Sequence, residues 1–351
     1  MQVVTCEDLG PRVSDVHDAV LEASSSRSIF LTRDWLDSWF DCFGSEHDIV
    51  NLAVREGADV IGAVPMVVTR PTSLLEPRRL RIAGQRPTTG EHLDLVAAEG
   101  RETSVARAAA DALTGTYRRR WDVLTIQRTL EDSPVLAAFA DALREAGCRV
   151  QLVSTGPSPY ITLPPTFDEL LAAKSKNFRS QVRQARNRLR RLGSVEVRRV
   201  GEHIELEEGF EELLRLHRAR WQGGSSFDTE AKIAFHRQLS MRLVDRDRLY
   251  LSLLSIDGTT IGARYDFVYG GKIWCIQGGW DPEYAAARPG MYLTEDVVSW
   301  GASKGLEEYD FLGGESDYKK RWSTGERMLV TLVAANPVTP RGVFYGIRRK
   351  L

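Results

Sequence analysis

The sequence predicts a mixed α/β chain of two domains, and three observations carry that prediction. A chain of 351 residues with 42% hydrophobic side chains is long for one core and sufficient for two. Segments that alternate with period two are interleaved with segments whose apolar residues recur at helical spacing. A hairpin turn followed by Ile-Gly-Ala occurs twice, at Ile61-Gly62-Ala63 and Ile261-Gly262-Ala263. The order helix, hairpin, strand, helix, strand repeats around both copies, so the echo reads as a duplication.

In the first half, Trp35, Leu36, Trp39, Phe40 and Phe43 predict a helix over 33–43 with Thr32 as its N-cap. Alternating segments at 48–55 and 60–68 form a hairpin around Gly57. Strands at 80–83 and 92–97 flank a loop, 84–90, of Gly, Pro and Thr. A helix over 102–119, a strand at 122–126 and a helix over 134–146 complete the domain. Four prolines between Ser154 and Pro165 mark the junction, because proline fits poorly in a central strand. The division is therefore 1–158 and 159–351.

The second half opens with a capping box, Thr166 to Glu169, and one long helix to Leu192. A strand at 195–200 and helices over 204–221 and 229–244 follow. Asp257-Gly258 turns a hairpin of 249–256 and 260–269, and a third strand runs 272–278. A helix over 290–304, a strand at 308–312, a short helix and two closing strands finish the chain.

Composition excludes several classes. Lys plus Arg (47) nearly balance Asp plus Glu (48), so no global field draws nucleic acid or an anionic membrane, and any basic site must be local. DNA is not an expected partner. The four cysteines form no CxxC pair, which argues against zinc and disulfides and for a reducing cytosol. With no leader pattern and no apolar run long enough to span a bilayer, the expectation is a cytoplasmic protein without a metal. HExxH, Walker, GxGxxG and GxSxG motifs are absent.

Four constellations remain. Arg288-Pro289-Gly290-Met291-Tyr292 opens a helix, whose unpaired amides and dipole favour a phosphate; Pro289 and Gly290 also suit a plain helix start. Tyr309 to Trp322, which includes Asp310, Gly313, Gly314, Tyr318 and Lys319, sets polar groups beyond a strand's carboxyl end, where open sheets bind ligands; Asp310 and Tyr318 also suit an internal hydrogen-bonded plug. In Leu216-His217-Arg218-Ala219-Arg220-Trp221, Arg220 can grip an anion, Trp221 can cover an acyl or sugar face, and His217 can take a proton or simply pack in the core. Between Lys174 and Arg191 lie eight basic residues and no acid, with Phe178, Val182, Ala185, Leu189 and Leu192 as an apolar stripe. That face suits a polyanion or bare solvent.

LHRARW at 216–221, GGWDPEYAAARPGMYL at 278–293, DFLGGESDYKKRW at 310–322 and FLTRDWLDSWFDCFG at 30–44 resemble the CelD-like acetyltransferases, a Gcn5-related (GNAT) branch named for cellulose biosynthesis. More distantly the chain is similar to the Fem-like peptidyl transferases, which carry tandem GNAT domains. The resemblance implies tandem GNAT-like domains, the first degenerate and shaping the acceptor groove, the second with two splayed central strands near 273–278 and 308–312. It implies acetyl-CoA or another acyl-CoA as donor, with its pantetheine arm in the splay beside Gln277 and Gly278. The diphosphate would rest at Arg288, Gly290, Met291 and Tyr292. Arg220, Trp221 and Trp322 become acceptor-binding candidates, Asp310, Tyr318 and His217 proton-transfer candidates, and Lys319 an anion clamp. The phosphate loop keeps only one Arg and one Gly of the GNAT pattern. Two alternatives follow: a Fem-like transferase using aminoacyl-tRNA, and a non-catalytic scaffold or polysaccharide-binding partner. The acceptor itself, a small molecule or saccharide offering an amine or hydroxyl, is not encoded in any motif.

Overall fold

A computed structural model describes residues 4–10, 16–73, 76–88, 90–221 and 226–349. Thr89, within the loop expected at 84–90, lies outside them. The chain runs β1 (Val4–Asp8), α1 (Val16–Glu22), α2 (Arg33–Phe43), β2 (His47–Glu56), β3 (Asp59–Thr69), β4 (Arg79–Ile82) and β5 (Val96–Ala97). It continues α3 (Glu102–Thr114), β6 (Val123–Leu130), α4 (Pro134–Glu145), β7 (Arg149–Thr162), α5 (Phe167–Ala173), α6 (Lys176–Leu192) and β8 (Val195–Val200). Then come α7 (His203–Arg220), α8 (Glu230–Val244), β9 (Leu249–Ile256), β10 (Thr259–Tyr269) and β11 (Lys272–Trp280). Last are α9 (Pro289–Ser303), β12 (Glu308–Asp310), α10 (Asp317–Trp322), β13 (Gly325–Ala335) and α11 (Pro340–Arg348).

Two compact units emerge, and they are not two consecutive segments. The first holds Met1–Pro157 with Arg327–Leu351, and the second Ser158–Glu326. The cause lies in β13, whose residues Leu329–Ala335 pair antiparallel with β6 and so complete the first unit's sheet. That sheet has the order β1-β2-β3-β4-β6-β13, with only the β4/β6 pair parallel. In the second unit the end of β7 leads the order β7-β12-β11-β10-β9-β8, where β11/β12 is the parallel pair. Its core gathers Ile161, Phe178, Ile273, Val297, Tyr309 and Trp322 under α6 and α9.

Several local expectations change. The long helix over 166–192 is two helices, because Ser175 supplies a second N-cap, accepting from Phe178 N at 3.2 Å, and extended Lys174 ties its Nζ to Trp322 O and to Ser323 O at 2.7 Å. Leu192 ends the apolar stripe 51% exposed, whereas Phe178, Val182, Ala185 and Leu189 are buried. The strand over 92–97 shrinks to β5, since His92 has φ +50° and Asp94 turns its carboxylate onto Leu95 N. The helix expected to reach Arg119 stops at Thr114, where Gly115 N closes on Asp111 O. β7 runs through Pro157 and Pro159, for proline lacks only the donor, and the Pro159 carbonyl still accepts from Phe311 N at 3.0 Å. Of two closing strands one exists, β13. Thr339 caps α11 and Pro340 takes its first turn, a start signal that outweighs the apolar run after it.

Candidate active site

The site begins with a fault in a ladder. Along β10 and β11 Tyr265 pairs with Gln277 but Asp266 with Cys275, so Ile276 is one residue too many on β11. The Asp266 carboxylate answers the freed amide, accepting from Ile276 N at 3.2 Å, and also accepts from Arg264 Nε at 2.7 Å and the Tyr309 hydroxyl at 3.2 Å. Burial pushes Asp266 up to about 6, with Arg264 opposing the rise. Desolvation works against the charge of Arg264, yet Asp266 and the Cys275 thiol, 2.9 Å from its Nη2, hold its pKa well above the ordinary value.

Next the sheet opens. β11 and β12 pair in parallel only from Lys272/Glu308 to Trp274/Asp310, while β11 continues to Trp280. β12 ends because Asp310 Oδ1 accepts from Leu312 N at 2.7 Å and the chain turns with φ +59° at Leu312. Past Trp274, one edge of β11 therefore has no β12 residue opposite it. A cavity of about 410 Å³ lies along this region, lined from β10 and β11 by Arg264, Gly278, Gly279 and Trp280, and from the start of α9 by Arg288, Gly290 and Met291. Arg220, Gln181, Tyr318, Arg321 and Trp322 close its other walls.

The lining holds four guanidiniums and no carboxylate. Arg220 lies 3.1 Å from the Trp280 ring centre and 4.5 Å from that of Trp221, and burial lowers it to about 10, so it stays charged at neutral pH. Arg321 reaches Gln181 Oε1 at 3.3 Å. Arg288 caps α9 in the left-handed conformation, φ +60°, and the first turn of α9 carries no acid. At that tip Met291 N and Tyr292 N fold back on Arg288 O, at 3.0 and 3.4 Å, leaving the Gly290 amide as the open donor. A Cβ on Gly290 would stand 3.0 Å from the Trp280 ring, and one on Gly279 2.5 Å from His217 N, so both glycines permit close approach.

Of the residues singled out from sequence, the cavity brings together Arg220, Gly278, Arg288, Gly290, Met291, Tyr318 and Trp322. Gln277, Tyr292 and Trp221 lie beside it, with Gln277 donating to Ser226 Oγ at 3.4 Å and Trp221 46% exposed. The Tyr318 hydroxyl meets Thr294 Oγ1 and sits 3.4 Å from Gly290 O; desolvation raises its pKa and keeps it protonated at neutral pH. Three candidates are turned elsewhere. Asp310 is fully buried and accepts from Ser158 Oγ as well as Leu312 N. Lys319 donates to Leu312 O and Gly313 O, at 3.1 and 2.9 Å, which ties that loop down. His217 is buried between Trp221 and Phe227, and desolvation with Arg220 and Arg218 lowers it to about 4, so it remains neutral. Sequence reading missed Arg264 and Asp266, whose signal was two opposite charges two apart, hence on one face, within an otherwise apolar strand. No cluster of metal-binding side chains occurs among the described residues.

The basic helix divides in two. Arg186 pairs with Glu295 of α9, Arg188 donates to Ala286 O at 2.7 Å, and Arg179 caps Lys174 O at 3.0 Å. Lys176, Arg183, Arg190 and Arg191 are exposed on the outward face.

Residues 176–320 match the family model described as an acetyltransferase (GNAT) domain. No curated protein matches the sequence. Among solved structures the fold is similar to that of FemX, at 14% identity and a TM-score of 0.65, covering 92% of this chain and 96% of that one. It is also similar to the C-terminal domain of a putative lysylphosphatidylglycerol synthetase from Agrobacterium fabrum (10% identity, TM-score 0.56, 95% and 96% covered). A tandem GNAT protein from the clavulanic acid biosynthesis pathway gives 13% identity and a TM-score of 0.52 over 96% and 100% of the two chains. At such identities the likeness speaks for the fold, a GNAT/Fem-type mixed α/β architecture.

Proposed function

We propose that the second unit, a GNAT-type domain, moves an acyl group from acyl-CoA to an amine or hydroxyl acceptor. The observation that carries this is the cavity of four guanidiniums and no carboxylate, set between an open strand edge and an acid-free helix tip. Arg288, Arg321 and the Gly290 amide would hold the donor's phosphates, and the β11 edge would align its extended arm through backbone hydrogen bonds. The acceptor nitrogen attacks the thioester carbon, the carbon–sulfur bond breaks, and the departing thiolate takes the Tyr318 proton. None of the lining side chains in its resting state accepts a proton at neutral pH, so the amine enters neutral, and the proton its nitrogen sheds returns through water to the Tyr318 phenolate. Transfer to an amine should then rise with pH along the amine's own titration. Exposed Trp221 beside Arg220 offers the flat face a saccharide acceptor would use, in keeping with the CelD-like resemblance. Titration calorimetry with acetyl-CoA and longer acyl-CoAs should give binding that Arg288→Ala weakens; no heat with any of them would overturn the assignment.

One observation favours a second donor. Only the Gly290 amide is open at the α9 tip, and α6 presents Lys176, Arg183, Arg190 and Arg191 outward, as a polyanion would require. If aminoacyl-tRNA is the donor, its binding should fall steeply as salt rises. A salt-independent interaction, or none, removes this reading.

A further inference from the structure

α11 packs the wrong way round for a helix of a globular unit. Its buried side is made of Gly342 and Gly346, four apart: a Cβ on Gly342 would stand 2.3 Å from Asn336 O, and one on Gly346 3.2 Å from Ala335 Cβ. With no room for side chains there, the bulky apolar residues point outward, Val343 43%, Phe344 64% and Ile347 59% exposed, with Val338 54% exposed just before the helix. Burial inside its own unit does not explain this face.

Beside the ridge lies an open hollow of about 940 Å³ whose rim carries Arg79, Arg341, Arg348 and Arg349. Arg79 and Arg349 rest on the Tyr345 ring at 5.7 and 5.9 Å. Among the described residues two carboxylates lie near them: Asp122, 3.9 Å from Arg341 and already bonded to Arg78 at 2.7 Å, and Glu76, which faces Arg79 but is held by Thr72. Four cations with so little compensation, in a chain whose total charges nearly balance, call for an external anion. An outward apolar ridge flanked by cations is the pattern of helices that lie in a bilayer's interface. A protein partner with one acidic patch would answer the arginines but not the exposed apolar side chains Val343, Phe344 and Ile347. A lipid surface answers both, with phosphates over the hollow and acyl chains around Phe344 and Ile347. Among the described residues no helix is long and apolar enough to cross a membrane, so the association is peripheral.

We propose that α11 and its arginine rim dock the first unit onto an anionic phospholipid surface. The test is co-sedimentation of the full chain with vesicles of phosphatidylcholine alone and of equal parts phosphatidylcholine and phosphatidylglycerol. Binding is expected to the anionic vesicles only, weakening as salt rises, by about fivefold for each guanidinium removed. Phe344→Ser with Ile347→Ser should lower partitioning about tenfold or more while thermal unfolding is unchanged, since neither side chain is buried. Arg348→Gln with Arg349→Gln checks the electrostatic half separately. Failure to bind anionic vesicles at low salt would overturn the proposal. So would a dimer, seen by light scattering, that Phe344→Ser dissociates.

Discussion

The two units contain the same frame put to opposite ends. In each, a hairpin brings a glycine under a helix: Gly62 of β3 faces Val105 of α3, and Gly262 of β10 faces Leu293 of α9, with no space for a Cβ at Gly62 and very little at Gly262. Two and four residues further along the second strand the frames part. The first unit buries Val64 and Met66, and the second buries Arg264 and Asp266. Beyond β4, the Trp35 and Trp39 indoles donate to Gly84 O and Arg86 O at 3.2 and 2.9 Å, so aromatic side chains occupy the segment where β11 stands open in the other unit. The helix starts differ likewise. α3 has Glu102 in its first turn, whose carboxylate takes Gly100 N at 3.2 Å, whereas α9 has no acid there and Arg288 as cap. One frame is sealed by its own groups, and the other is left open and cationic.

The buried pair is where this contrast can be broken hardest. Arg264→Val strands Asp266 in a dry interior and should cost roughly 3–5 kcal/mol in urea unfolding. Arg264→Val with Asp266→Met, which copies the first unit, should return stability to within about 1 kcal/mol while weakening acyl-CoA binding. A double variant as unstable as the single would contradict the ion-pair account.

The first unit has a buried carboxylate of its own, Asp94, accepting from Ser133 Oγ and Leu95 N and pushed up to about 7 by burial. Because its folded value lies above the ordinary one, the folded state keeps a proton that the unfolded chain has released between about pH 4 and 7. Its contribution to stability is thus lost as pH rises through that window. Asp94→Asn should remove that pH-dependent loss, about 4 kcal/mol across the window, read as unfolding midpoints across the range.

Smaller effects test the helix tips. Met291→Glu would give α9 the acid that α3 carries and should weaken acyl-CoA binding about tenfold, as should Arg288→Ala, with unfolding nearly unchanged. Glu102→Ala at the sealed tip should leave binding as it was.

Much of this contrast was legible before any coordinates. The Ile-Gly-Ala echo located both glycines, and Asp257-Gly258 and Arg288-Pro289-Gly290 located the open unit's turn and helix tip, because turn and cap chemistry is local. What escaped was decided at a distance. Nothing near Lys319 reveals that its ammonium closes on Leu312 O, and Asp310 reads as a candidate base until Ser158, far away in sequence, comes to rest against it. The Arg264/Asp266 pair was readable in principle from its spacing, but the bulge at Ile276 that gives Asp266 its amide partner depends on strand register. The return of β13 to the first unit depends likewise on pairing partners that propensity does not specify.

Amide hydrogen exchange with and without acetyl-CoA tests the central claim most directly. Protection is expected along Cys275–Trp280 and at Gly290, with the segment after β4 and the start of α3 unaltered. Protection confined to the first unit, or none in either, would contradict an acyl donor seated in the open frame.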